Sequence, residues 1–170
     1  MQSANRYPLL VAGVSGSGKS TLAQRWALRC AAPFIEGDRL HAPAGIAKMR
    51  AGIALEDEDR AAWLDRLTAE MHAHDGSPGP VLACSALKRS YRERLRAGVP
   101  GLRVALLVVT PALAEQRVGL RAGHYMPVAL VASQFATLEL PVNEPHTLLL
   151  DGSRPLAALL SELGQWLAAS

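Results

Sequence analysis

Gly13-Val14-Ser15-Gly16-Ser17-Gly18-Lys19-Ser20-Thr21 is the stretch on which the fold turns. It fits Gly-x-x-x-x-Gly-Lys-[Ser/Thr], follows the apolar run from Tyr7 to Ala12, and opens a helical pattern in which Leu22, Trp26 and Cys30 share a face. A chain of this composition produces the pattern by chance about once in 500 trials, so the match in its strand-loop-helix setting is read as a phosphate cradle. Glycines let the backbone curl until several N–H groups point inward at one anion, and the positive end of the following helix dipole adds to them. Gly13, Ser15, Gly16, Ser17, Gly18 and Thr21 are expected to line the cradle around a nucleotide. Lys19 is placed to bridge the β- and γ-phosphates of ATP, and the Ser20 hydroxyl to ligate Mg²⁺.

Outward from this loop, short apolar runs read as buried parallel strands: Pro33 to Glu36, Pro80 to Cys84, Leu102 to Val109 and His146 to Leu150, besides Tyr7 to Ala12. Helical patterns alternate with them, with Ala61, Leu64, Leu67 and Met71 on one face and Leu156, Leu159, Leu160, Leu163 and Leu167 on another. The expectation is a P-loop α/β kinase fold, three layers α/β/α around a five-stranded parallel sheet, in one domain over residues 1–170. Two segments depart from the alternation, Gly37 to Leu55 and Gly123 to Leu140, and are read as a mobile substrate-binding segment (about 37–60) and a short lid (about 117–128).

Composition limits the function further. The 170 residues are 49% apolar and 19% charged, with a net charge of +3, too small to argue for nucleic acid or membrane as partner. No apolar run approaches the ~20 residues that span a bilayer, and the polar start at Met1 to Tyr7 lacks a signal-peptide core, so the cytoplasm is expected. Cys30 and Cys84 are not in a Cys-x-x-Cys spacing and read as buried, reduced thiols. Asn5 and Asn143 are the only asparagines, so no Asn-Lys-x-Asp guanine motif exists, and the length leaves no room for the modules of large ATPases. A compact kinase of small molecules remains.

Transfer of a phosphoryl group to an alcohol needs a carboxylate for the hydroxyl proton and cations for the spreading charge. Asp38, just past the second strand, is expected at the carboxyl edge of the sheet beside the cradle, and Glu36 is placed to hold a Mg²⁺-bound water. Arg117 and Arg121 stand i,i+4 and point the same way, as for a lid closing over the γ-phosphate; Arg121 is counted with the catalytic residues and Arg117 with the nucleotide contacts, and which of the two meets adenine and which phosphate stays open. The dense run Lys88 to Arg96 is read as a helix with Tyr91 and Leu95 inward and solvated arginines outward.

Gly37-Asp38-Arg39-Leu40-His41-x-Pro43, Ile46-Ala47-Lys48-Met49 and Gly52-Ile53-x-Leu55-x-Asp57-x-Asp59-Arg60-x-x-Trp63-Leu64 resemble the small gluconokinases of the shikimate-kinase-like P-loop group. So do Ala83-Cys84-Ser85-Ala86-Leu87-Lys88-Arg89-x-Tyr91-Arg92, Gly123-His124-Tyr125-Met126-Pro127 and Ser133-Gln134-Phe135-x-x-Leu138-Glu139. Gly45 and Asn143 depart from the pattern, which usually has Asn and Asp there. The resemblance implies ATP-dependent phosphorylation of D-gluconate at its terminal hydroxyl, in a homodimer. It implies Arg60 for the substrate carboxylate, since a guanidinium pairs bidentately, and Asp38, His41, Lys48, Lys88, His124 and Gln134 as further substrate contacts. Two other readings stay open: a kinase of another small hydroxy or sugar acid, and a nucleotide-dependent regulator binding RNA or protein through the arginine-rich helix.

Overall fold

The computed structural model describes residues 6–120 and 128–170. Its five strands are β1 (Leu9–Ala12), β2 (Phe34–Glu36), β3 (Val81–Cys84), β4 (Arg103–Val108) and β5 (Thr147–Asp151), all parallel, in the order β2-β3-β1-β4-β5. These are the five apolar runs of the sequence. They lack polar alternation because a parallel sheet with helices on both faces buries both sides of each central strand, and every residue of β1 and β3 is buried.

The β1 residues divide between two cores. Leu9 and Val11 pack with Leu22, Trp26 and Cys30 of α1 (Lys19–Cys30) and with Leu159 and Leu163 of α7 (Leu156–Ala168). Leu10 and Ala12 face the other way, onto Trp63, Leu64, Leu67 and Met71 of α3 (Asp57–Ala73) and Tyr91 and Leu95 of α4 (Arg89–Gly98). The acidic residues at the start of α3 form a capping box, with the N-cap Glu56 and Asp59 of the first turn each accepting from the other's backbone N–H.

Both departures from the alternation contain ordered helix. The first holds a 3-10 turn (Gly37–Leu40) and α2 (Pro43–Arg50). The second ends in α6 (Ala129–Thr137), which follows α5 (Pro111–Gly119) and the undescribed residues. Met49 and Leu55 of the first segment and Leu130 of α6 share a small buried cluster, so the two close on each other.

One expectation fails. The arginines of α4 are not all outward: Arg92 is fully buried. Its Nε and Nη2 donate to Glu144 at 2.9 and 2.5 Å, Nη1 to the carbonyls of Ala86 and Leu87 at 2.9 Å each, and Nη2 also to the Glu139 carbonyl at 2.9 Å. A guanidinium with its N–H fork filled is tolerable in the interior, and the carboxylate facing it offsets its charge.

Both thiols are free and buried, as expected, and burial pushes the Cys84 thiol up. No helix among the described residues is long and apolar enough to cross a membrane.

Candidate active site

The chain leaves β3 and crosses to β4 on the far side of β1, so the carboxyl ends of β1 and β3 border the crevice where open α/β sheets take ligands. The loops after β1, β2 and β3 deliver the cradle, Asp38 and Ser85 to that edge. The cradle is tightly built. Gly16 has φ +79°, and a Cβ there would lie 2.5 Å from the Ala114 carbonyl oxygen, so only glycine fits. Gly18, at φ +93°, turns the chain into α1.

One cavity collects four of the seven expected substrate contacts, Asp38, His41, Arg60 and Gln134, beside Ser15 and Lys19. Ser15 and Lys19 enter it from the cradle, Asp38 and His41 from the turn after β2, Arg60 from α3, Ser85 and Leu87 from the loop after β3, and Ser133 and Gln134 from α6. Lys19 and Ser15 are buried despite their polarity, at 6% and 4% exposure. The Ser15 backbone N–H donates to Gln134 Oε1 at 2.6 Å, so α6 is fastened to the cradle.

His41 stacks on Trp63, ring centroids 4.3 Å apart, and Trp63 Nε1 donates to the Gly37 carbonyl at 2.9 Å. Burial first, then the Arg60 and Arg66 charges, hold His41 down to about 4 against the pull of Asp38, so the ring is neutral at pH 7. Arg60 Nη1 donates to the Leu55 carbonyl at 2.8 Å and to the Tyr91 hydroxyl at 3.4 Å, with its guanidinium 5.6 Å above the Tyr91 ring.

Behind the cavity, the Ser20 hydroxyl hydrogen-bonds to Glu36, whose carboxyl is raised chiefly by burial and next by the Asp38 charge. Glu36 Oε1 and Ser17 Oγ are buried without a hydrogen-bond partner. Two unsatisfied oxygens at the start of α1 suit Mg²⁺ and phosphate: the cation would be held by the Ser20 hydroxyl with Glu36 behind it, the phosphate by the cradle and Lys19.

Lys48 and Lys88 are placed differently. Lys48 Nζ pairs with Asp59 at 2.8 Å, and Lys88 Nζ with Asp57 at 2.9 Å, Asp57 also accepting the Tyr91 hydroxyl. Both lysines sit in ion pairs with the first turn of α3 and do not line the cavity. Arg121 and His124 lie outside the described residues.

On the other side of the cradle a cleft of about 320 Å³ is lined by Ser17, Gly18, Thr21, Arg117, Gly152 and Leu156 among others. Arg117 reaches back to the Gly16 carbonyl at 3.2 Å and across to the Gly152 carbonyl at 3.0 Å. A Cβ on Gly152 would meet Val109 Cγ1 at 2.7 Å and the Ser17 carbonyl at 2.9 Å. The Gly152 turn went unremarked in the sequence, although Asp151-Gly152-Ser153 directly after a strand is a turn signal. Trp63, whose ring positions His41, carries no signal in the sequence beyond its place in the Asp59-Arg60-x-x-Trp63-Leu64 motif.

Residues 9–141 match the family described as AAA domain. A gluconokinase of Gluconobacter oxydans (strain 621H) is 44% identical over 160 residues, covering 91% of this chain and 88% of that protein. The thermosensitive gluconokinase of Escherichia coli (strain K12) is 39% identical, covering 92% and 84%. The chain belongs to that family, and to the gluconokinases. Among solved structures, a gluconokinase from Sinorhizobium meliloti 1021 superimposes with a TM-score of 0.86 at 41% identity, over 97% of this chain and 93% of that one. An unliganded sugar kinase from Janibacter sp. HTCC2649 gives 0.88 at 39%, over 95% and 94%.

Proposed function

We propose that the chain transfers the γ-phosphoryl group of ATP to the terminal hydroxyl of D-gluconate, giving 6-phospho-D-gluconate and ADP. The observation that carries this reading is the meeting of Lys19, Asp38 and Arg60 in one cavity at the mouth of the phosphate cradle. Asp38 accepts the hydroxyl proton, Lys19 and the cradle N–H groups hold the phosphates, and Arg60 pairs with the substrate carboxylate. Neutral His41 exchanges hydrogen bonds with substrate hydroxyls. Mg²⁺, held by Ser20 with Glu36 behind it, supplies positive charge to the phosphates. The cleft behind the cradle, with Arg117 across it, takes the nucleoside end of ATP.

Lys48 and Lys88 reach substrate only by leaving Asp59 and Asp57, so in this reading they act as the segment closes. Arg121 and His124 act from the lid. A homodimer fits the family, and buried free thiols fit a reducing cytoplasm. The regulator reading loses its footing because each arginine of α4 faces an acid: Arg89 with Glu93, Arg94 with Asp65, and Arg92 and Arg96 with Glu144. ADP release measured across gluconate, other sugar acids and shikimate tests the substrate. Gluconate is expected to show the highest kcat/KM; a higher value for another acid overturns the choice.

A further inference from the structure

Gln134 stands where α6 meets the cradle, and hydrogen-bond logic fixes which way its amide faces. The Ser15 backbone N–H has only a proton to give, so the atom 2.6 Å away is the amide oxygen. The amide has one oxygen and one nitrogen, and with Oε1 turned to Ser15 it is Nε2, a donor of two N–H bonds, that Gln134 has left for the cavity it lines beside Lys19 and Asp38. The backbone beneath is held as well. Val131, Phe135 and Leu138 of the same segment pack with Val14 of the cradle and Leu87, the Leu138 N–H donates to the Gln134 carbonyl at 2.9 Å, and the Glu139 N–H donates to the Leu87 carbonyl at 2.9 Å.

We propose that Gln134 is a catalytic residue: a neutral N–H donor to the phosphoryl group in transfer, aimed by the cradle's own backbone. The proposal rests on the kinase reading above and goes beyond the hydroxyl contact that the family resemblance implies. Non-bridging phosphoryl oxygens only accept hydrogen bonds, so a donor matches them, and an uncharged donor adds to the Lys19 ammonium without repelling it. In the step itself the substrate oxygen bonds to the γ-phosphorus, Asp38 takes the hydroxyl proton, and the bond from phosphorus to the bridging oxygen breaks with its electron pair going to ADP. Gln134 keeps its protons throughout.

Gln134→Glu separates the two faces of this side chain: it retains an oxygen for the Ser15 N–H and replaces the donor with a second oxygen. Wild-type turnover of gluconate is measured first, and its absence would sink the kinase reading rather than this proposal. Gln134→Glu is then expected to keep the wild-type Tm and to bind gluconate alone, by calorimetry without nucleotide, within roughly threefold of wild type, while kcat falls about 10²- to 10³-fold. In the same variant, capture of ADP with aluminium fluoride and gluconate, a mimic of the group in flight, should weaken in parallel with kcat. If this variant does not fold, Gln134→Met, apolar and of similar length, removes the donor together with the Ser15 acceptor, and a fall in kcat at unchanged Tm and gluconate affinity supports the proposal. Unchanged kcat overturns the proposal. So does a loss of gluconate affinity with kcat kept at saturation, which would make Gln134 a reader of substrate hydroxyls.

Discussion

Asp38 and Arg60 line one cavity but are assigned different tasks, and kinetics can separate them. Asp38→Asn removes the proton acceptor and leaves the shape, so kcat should fall about 10²- to 10⁴-fold with the KM for ATP nearly unchanged. Arg60→Ala removes a charge-assisted contact and should raise the KM for gluconate about 10- to 100-fold. Near-normal kcat in the first, or a selective rise in the ATP KM in the second, would contradict these roles. His41 gives a pH signature. An unfolded histidine takes its proton near pH 6.5, whereas the folded ring resists until about 4, so the unfolded state binds more protons between the two. Stability should therefore fall as pH drops from 6.5 toward 4, by on the order of 2 to 3 kcal/mol from this residue. His41→Gln should narrow the gap between Tm at pH 8 and at pH 4.5; an unchanged gap would mean the ring is not held neutral.

At the scale of elements, the substrate segment hangs on the junction of β2 with the turn that carries Asp38. Gly37 there is buried against β3, and an added Cβ would lie 2.7 Å from both the Ala83 carbonyl oxygen and Cys84 Cβ. Gly37→Ala should force the turn away from β3, costing about 1 to 3 kcal/mol by overpacking and lowering kcat more than it changes the KM for ATP. Unaltered urea unfolding and kcat would show that the junction yields freely. The strands were legible because burial on both faces writes them as unbroken apolar runs, and the cradle because its glycines are required by backbone shape. The ordered α2 was less legible, since Pro43 and Gly45 within it and Gly52 just beyond it read as loop. The positions of Lys48 and Lys88 were not legible, because they depend on how α2 and α4 lie against the first turn of α3. Asn143 has a φ of +55°, which asparagine and the aspartate usual there both adopt readily, so this departure from the family pattern leaves the turn unstrained.

Across the whole molecule, the buried Arg92–Glu144 pair ties the loop after β3 to the segment between α6 and β5, residues 52 apart in the chain. Within a run of charges nothing marks Arg92 as different; only the position of Leu87, Glu139 and Glu144 around it does. Arg92→Met leaves the buried Glu144 carboxylate with Arg96 as its one remaining cation and takes the donor from three carbonyls, and should cost about 2 to 4 kcal/mol, or roughly 10 °C in Tm. Adding Glu144→Leu should recover part of the loss but not all, because the Ala86, Leu87 and Glu139 carbonyls stay without their donor and Arg96 loses its carboxylate. Full recovery in the double variant would show that those carbonyls need no partner. At work, the same molecule brings a cradle, a carboxylate and a guanidinium together around a linear sugar acid. The most direct test is phosphorus NMR of purified protein incubated with ATP, Mg²⁺ and D-gluconate. A phosphomonoester on the terminal carbon of gluconate, formed one for one with ADP, is expected; ADP appearing with inorganic phosphate and no sugar phosphate would overturn the gluconate kinase reading.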